Sequence, residues 1–507
     1  MRRGPLLFLF AFALVALFSC SSKNNNEEKA ALLYQAHCAR CHIGPDIGAL
    51  PKSMWAERVL PDMAARMGIK EGDFDPFKGM SFAEKEIVMK ARVYPYAPLL
   101  QPEDWKILKE YILSKAPDSI SGQFVSIPYS IQNQFDSEQI ALDQIPGSFY
   151  TFLDYYDDNQ TIRAGDFSGS LIEYNLSTGA KEVLYKVNNA VVDFQQNDTV
   201  SYITDVGILD PSELSSGRIF RAYDDKLEAL PEVFHRPVNN LVADFDGDGI
   251  DELVISEFGH RTGQLTLMRG LPNGQFERKI LLTLPGTIRA VAEDMDKDGD
   301  LDIVAITSQG DESITILYQE EDLRFRVDRA IRFSPIYGSS WFELIDYDHD
   351  GDTDIVTVNG DNADKTYIAK PYHGLRIHLN DGNNKFTEAF FHPLNGATRF
   401  VSEDFDQDGD YDFAVISTFP DYENAPDLAL VYLENKDESG FVFKPFKFEE
   451  SNLSRWFLLD KGDIDKDGDM DIILSAFTYT FTPVPEKFSS QWQENNVDIL
   501  LLKNQLK

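Results

Sequence analysis

Asp294-Met295-Asp296-Lys297-Asp298-Gly299-Asp300-Leu301-Asp302 carries an acid at every odd position and a glycine at the sixth, and the reading of the whole chain turns on it. Three further copies follow the pattern, Asp346 to Asp354, Asp404 to Asp412 and Asp463 to Asp471, and a fourth, Asp244 to Glu252, departs from it only at position 7, where Ile250 stands. Successive copies start 50, 52, 58 and 59 residues apart, and each runs into a short apolar stretch such as Ile303-Val304-Ala305-Ile306 or Ile472-Ile473-Leu474. A period of about 50 residues holding several short strands is the length of one β-propeller blade, which buries its faces only against its neighbours. Two weaker copies, Asp154 to Asn159 before Thr161 and Asp193 to Asp198 before Val200, continue the series backwards. Seven blades are therefore expected, with six and eight as the neighbouring counts. The C-terminal run Val497 to Leu502 is expected to complete a blade begun near Phe124, which closes the ring and hides its sheet edges.

The loop chemistry is that of a hard cation. Carboxylates at positions 1, 3 and 5 converge when the glycine at position 6 turns the chain sharply, and the acid at position 9 closes an oxygen shell suited to calcium. The candidate ligands are Asp244, Asp246, Asp248 and Glu252; Asp294, Asp296, Asp298 and Asp302; Asp346, Asp348, Asp350 and Asp354; Asp404, Asp406, Asp408 and Asp412; and Asp463, Asp465, Asp467 and Asp471, for up to five Ca2+ ions. An EF-hand would place a bidentate Glu at position 12 between helices, whereas here the acid stands at position 9 between strands. Without a metal, the same turns would be held by aspartate side-chain to backbone hydrogen bonds. That metal-free reading is preferred at Asp154 and Asp193, whose loops lack the acids. The loops, together with Phe258-Gly259, resemble FG-GAP or VCBS repeats over roughly residues 125 to 505. The resemblance implies a propeller whose calcium loops lie buried within blades and are structural, with the position 7 carbonyl as a further ligand.

A second motif lies upstream. Cys38-Ala39-Arg40-Cys41-His42 places two thiols and an imidazole on about one turn of chain, the spacing needed to hold a haem covalently and to ligate its iron. Zinc would need a second pair of ligands, and a thioredoxin-like pair would be expected inside a βαβ pattern. The segment from about 28 to 118 resembles the cytochrome c family. A first helix is expected over Glu27 to Ala39, and a last one over Pro102 to Lys115, whose Trp105, Leu108, Tyr111 and Ile112 make one apolar stripe. The resemblance implies that these two helices cross and that a methionine sits on the far side of the iron. Met63, just after Pro61-Asp62, is taken as that distal ligand, with Met67 and Met80 as alternatives and core filling as the plain role of any of them. His37 lies too close to the motif to reach the opposite haem face.

Arg2 and Arg3, the apolar run Leu6 to Phe18 and then Ser19-Cys20 read as a secretory signal. Leu17-Phe18-Ser19-Cys20 resembles the lipobox of bacterial lipoproteins, which implies lipidation at Cys20 and a polar tether after it. The three cysteines are then all assigned, two to haem and one to lipid. With 47 Lys+Arg against 84 Asp+Glu, a net charge of -37 excludes a nucleic-acid partner, because phosphate binding rests on Lys and Arg.

The expected organisation is multidomain: signal peptide 1–19, tether 20–27, a small all-α cytochrome c-like domain 28–118, linker 119–124 and an all-β propeller 125–507. The expected function is membrane-anchored electron transfer in a bacterial cell envelope, at the outer membrane. One haem c faces a redox partner protein, and the propeller is a platform for a partner or ligand of unknown kind. Two alternatives accompany this reading. One is a propeller dehydrogenase that oxidises a sugar or alcohol and reduces the fused haem; the other is an adhesion or polymer-binding protein with an accessory haem. No catalytic residue is assigned. Arg236, His260, Arg289, Arg399 and Arg455 are read as rim side chains that could line a cleft, without the constellation of a quinone site.

Overall fold

The computed structural model describes residues 26–506 apart from 198–199, 224–225, 362–365 and 438, so Cys20 and its targeting segment lie outside the described residues. Two compact units divide the chain, one ending at Gly122 and one running from Gln123 to Lys507.

Helices in the first unit are few and short. Residues 26–33 are helical and widen into a π-turn over Tyr34–Cys38, so the expected helix to Ala39 loses its α-geometry six residues early. The widening coincides with a bond from the Tyr34 hydroxyl to the Pro45 carbonyl, which draws the chain away from a straight helix. Pro102–Lys115 is helical as expected, with Pro102 in its first turn, where no N–H is needed. Its Trp105, Leu108 and Ile112 are buried. Ion pairs from Lys29 to Asp104 and from Glu27 to Lys115 join the first helix to the last. Ser81 and Glu84 form a reciprocal capping box that starts the helix Phe82–Lys90.

The second unit is a seven-bladed β-propeller of six four-stranded sheets and one five-stranded sheet. Blades 1 to 6 span 150–186, 191–229, 237–282, 287–332, 339–393 and 397–447. Blade 7 takes three strands from the C-terminus, Trp456–Gly462, Asp471–Ala476 and Ile499–Asn504, and its fourth from the other end of the unit, Phe135–Ile140. The closing strand therefore begins well after Phe124. Six backbone pairs, from Phe135 with Asn504 to Ile140 with Ile499, zip it on. A two-residue strand, Ser130–Ile131, adds in parallel to the outer edge of blade 6.

Sequence pattern explains the layering within each blade. In blades 3 to 7 the second strand is buried at every position, for example Asp302–Thr307 and Asp471–Ala476, which accounts for the continuous apolar runs after each acidic loop. Outermost strands such as Arg324–Arg332 alternate and face water. A separate apolar cluster fills each seam between adjacent blades, such as Phe405, Trp456 and Leu474 between blades 6 and 7.

The seven first strands adjoin one another around the axis, Trp456–Gly462 of blade 7 against Tyr150–Tyr156 of blade 1 included. Each carries a register shift near its start, as at Thr287/Arg289, Ser339/Trp341 and Ala397/Arg399. Such a bulge re-aims the next side chain. Every seam is also stitched by a side chain bonded to the backbone of the neighbouring first strand. Thr151 Oγ1 donates to Val191 O at 2.7 Å, Asp193 accepts from Asn240 N at 2.7 Å, and Asn239 accepts from Ala290 N at 2.9 Å. Arg289 donates to Phe342 O at 2.7 Å, Glu343 accepts from Ser402 N at 3.1 Å, Lys461 reaches Ser402 O, and Asp460 accepts from Tyr155 N at 2.6 Å.

Asp154 and Asp193 do not start turns. Both lie inside first strands, Tyr150–Tyr156 and Val191–Gln196, and the connections that follow are four residues long, 157–160 and 197–200.

Candidate metal loops and the Cys38–His42 segment

Each of the five acidic loops joins the first strand of its blade to the second, in blades 3 to 7. The position 6 glycines, Gly249, Gly299, Gly351, Gly409 and Gly468, have φ between +84° and +100°, the conformation that lets the chain reverse. The position 1 aspartate anchors the reversal. Asp294 accepts from Asp298 N at 3.1 Å and Gly299 N at 3.0 Å, and Asp244, Asp404 and Asp463 repeat the pair. Asp346 keeps only the bond from Gly351 N, at 3.1 Å.

Converging oxygens remain after these bonds. Ligand atoms lie within 4.8 Å of one another for positions 1, 3 and 9 in the loops of Asp294, Asp346 and Asp463, and for positions 1, 3 and 5 in those of Asp244 and Asp404. Asp246 Oδ1, Asp346 Oδ1 and Asp406 Oδ1 are buried and accept no hydrogen bond. A buried anionic oxygen without a donor is costly unless a cation reaches it, so the donor set fits an oxygen-seeking ion. In two loops a basic side chain already covers the second oxygen of position 3: Arg269 at 2.8 Å from Asp246 and Lys436 at 3.2 Å from Asp406.

Position 9 does more than complete a shell. Both oxygens of Asp302 are engaged, by Met295 N at 3.0 Å and Gln319 N at 2.7 Å, which ties the loop to the third strand of the blade. Glu252, Asp354 and Asp471 repeat the arrangement, while Asp412 takes the Tyr432 hydroxyl and Asn435 N. Burial raises these acids: Asp302 and Asp354 to about 6, Glu252 and Asp471 to about 7, and Asp412 to about 8.

The loops are not buried within the blades. Positions 4 and 6 are exposed or nearly so, while the position 2 side chains Phe245, Met295, Tyr347, Phe405 and Ile464 are buried and pin each loop to the core. That apolar second position was visible in all five copies and escaped the acid-based reading. Position 4 was missed as well. It is left-handed in the loops of blades 4 to 7, at Lys297, His349, Gln407 and Lys466, and three of these side chains reach the glycine carbonyl of the next loop. Lys297 Nζ lies 2.9 Å from Gly351 O, His349 Nε2 3.4 Å from Gly409 O, and Gln407 Nε2 3.1 Å from Gly468 O. Gly247, without a side chain, makes no such link.

In the first unit, Cys38 is half-buried and Cys41 exposed, and neither is in a disulfide. His42 Nδ1 lies 2.8 Å from the Ile43 carbonyl. A carbonyl can only accept, so Nδ1 carries a hydrogen, and in the neutral ring the lone pair is then on Nε2. Met63 stands in the helix Leu60–Arg66 rather than in a loop, because Pro61 occupies the first turn of that helix, where proline is tolerated. It is half-buried there. Met67 is buried, and Met80 packs against Ala65, Val88 and Tyr94, the gap-filling role.

Of the five rim candidates, Arg236 and Arg455 donate to backbone carbonyls, Leu209 O and Gly259 O for the first and Thr418 O and Tyr479 O for the second, and so are structural. His260 bonds through its backbone N–H to Thr262 O. Arg289 and Arg399 instead face the axis.

A match to a family model agrees with the repeat period. The FG-GAP-like repeat model matches residues 244–305 and 294–357. The chain is similar to the WD40 domain of Neurospora crassa Pan2, at 10% identity and a TM-score of 0.45, over 75% of this chain and 100% of that one. It is also similar to the β-propeller domain of Myceliophteria thermophila Cps50 (Swd1), at 9% identity and a TM-score of 0.40, over 66% and 95% of the two chains. No curated protein shows significant sequence similarity to it.

Proposed function

We propose that this chain is a lipid-anchored electron carrier of the cell envelope, in which a haem c on the first unit serves a redox partner and a calcium-stiffened propeller provides the docking platform. The observation that carries the haem reading is the His42 tautomer: its Nδ1 hydrogen is donated to Ile43 O, which leaves Nε2 ready as a ligand one residue after Cys41. Cys38 and Cys41 would hold the group, and bound haem would supply one-electron chemistry. Met63 is proposed as the distal ligand. Calcium is supported by the converging carboxylates and by the buried oxygens without donors. Anchoring at the outer membrane rests on Cys20 and its lipobox-like context.

Co-expression with a haem-attachment system tests the reading. Haem should survive denaturation and solvent extraction and give a c-type pyridine haemochrome, and Cys38→Ala with Cys41→Ala should abolish both. Haem that is absent, or freely extracted, would sink the electron-transfer reading. Ferric spectra of Met63→Ala should lose the thioether-to-iron band; a band that persists assigns the ligand elsewhere.

A further inference from the structure

Along the propeller axis, the residue after the first-strand bulge is Phe152, Asp193, Asn239, Arg289, Trp341, Arg399 and Leu458 in blades 1 to 7. Three of these stitch forward to the next blade: Asp193 to Asn240 N, Asn239 to Ala290 N and Arg289 to Phe342 O. Arg399 breaks the series. Its guanidinium lies 4.0 Å from the centre of the Trp341 ring, as does that of Arg289, so both cations stack on one indole. Among the described residues, nothing accepts a hydrogen bond from Arg399.

Stacking on an indole offsets part of a guanidinium's charge but satisfies none of its N–H donors. The acids at hand are committed. Asp193 accepts from Asn240 N and Gln195 Nε2, and Glu343 accepts from the Ser402 backbone and hydroxyl. Arg399 is half-buried, beside a second cation of the same sign. Burial and the Arg289 charge push its pKa down to about 9, against the opposing pull of Asp193.

We propose that the axial channel binds one small oxyanion at Arg399, with Arg289 supplying a second positive charge at Trp341. Planar carboxylates and tetrahedral oxyanions share the required chemistry, since both accept paired N–H donors from guanidinium. The site is independent of the haem and of the acidic loops, and its ligand bears on what the propeller recognises.

The test uses the full-length, calcium-loaded protein, titrated calorimetrically with sodium acetate and, separately, with sodium sulfate, against sodium chloride at matched ionic strength. Saturable one-to-one binding of acetate assigns a carboxylate site, and binding of sulfate a tetrahedral one. Arg399→Gln should weaken that binding at least tenfold, with Arg399→Lys in between. The binding should also change tryptophan fluorescence, and the change should vanish in Trp341→Phe, which locates the site even if Arg399→Gln fails to fold. Lack of saturable binding by either anion overturns the proposal. So does binding that Arg399→Gln and Trp341→Phe leave unchanged.

Discussion

Asp302 and Asp296 belong to one loop and do different work. Both oxygens of Asp302 bond backbone N–H groups, one in the loop and one on the third strand, whereas Asp296 contributes only to the convergence of carboxylates that the two share. Asp302→Ala should therefore lower stability by about 2–4 kcal/mol with or without calcium, because two buried N–H donors lose a charged acceptor. Asp296→Ala should lower it only when calcium is present. Urea unfolding in calcium and in chelator separates the two, and equal losses in both media for Asp296→Ala would remove the cation from the account. The convergence of positions 1 and 3 could be placed from spacing alone, whereas the third acid is position 5 in two loops and position 9 in three. The backbone bonds of position 9 could not, because Gln319 N is brought in by the third strand.

At the scale of elements, ring closure rests on the last strand. Ile499–Asn504 pairs with Asp471–Ala476 on one side and with Phe135–Ile140 on the other. Truncation after Asp498 strands the N-terminal strand and opens the blade 7 core, so the shortened protein should be insoluble or lack the cooperative melt of the full chain. A cooperative melt within a few degrees of the full chain would show that the closure is dispensable. The position 4 links have their own consequence. Calcium bound in one of blades 4 to 6 should order the next loop through Lys297, His349 or Gln407. Lys297→Ala and Gln407→Ala should therefore flatten the calcium-binding curve, with little change in the number of ions bound. A curve as steep as that of the parent protein would leave the loops independent. Blade count and closure by the two chain ends were legible because the period repeats. The starting point of the closing strand was not, since residues 123–134 have no partner pattern in the sequence.

Charge across the whole molecule sets its response to pH. Asp193 and Asp460 lie on the axis, and burial raises both to about 7, with the neighbouring Asp154 adding to the effect at Asp460. An unfolded aspartate titrates near about 3.9, so between roughly pH 4 and pH 7 the folded protein holds more protons than the unfolded chain. Stability contributed by these groups is present below that window and falls as pH rises through it. The melting temperature should drop from pH 5 to pH 8, and Asp193→Asn should reduce the drop; an unchanged slope in that variant would refute the assignment.

The sequence by itself determined the repeat, the blade count, the reversal at each position 6 glycine and the clustering of Cys38, Cys41 and His42, because each is written in local spacing. Only the tertiary structure decided that Asp154 and Asp193 lie inside first strands instead of starting loops, that three of the loops reach the next, and that Arg289 and Arg399 meet on Trp341. Those three axial residues lie 52 and 58 positions apart in the chain. They come together because ring closure brings equivalent positions of successive blades to one level, a convergence that no window of sequence contains.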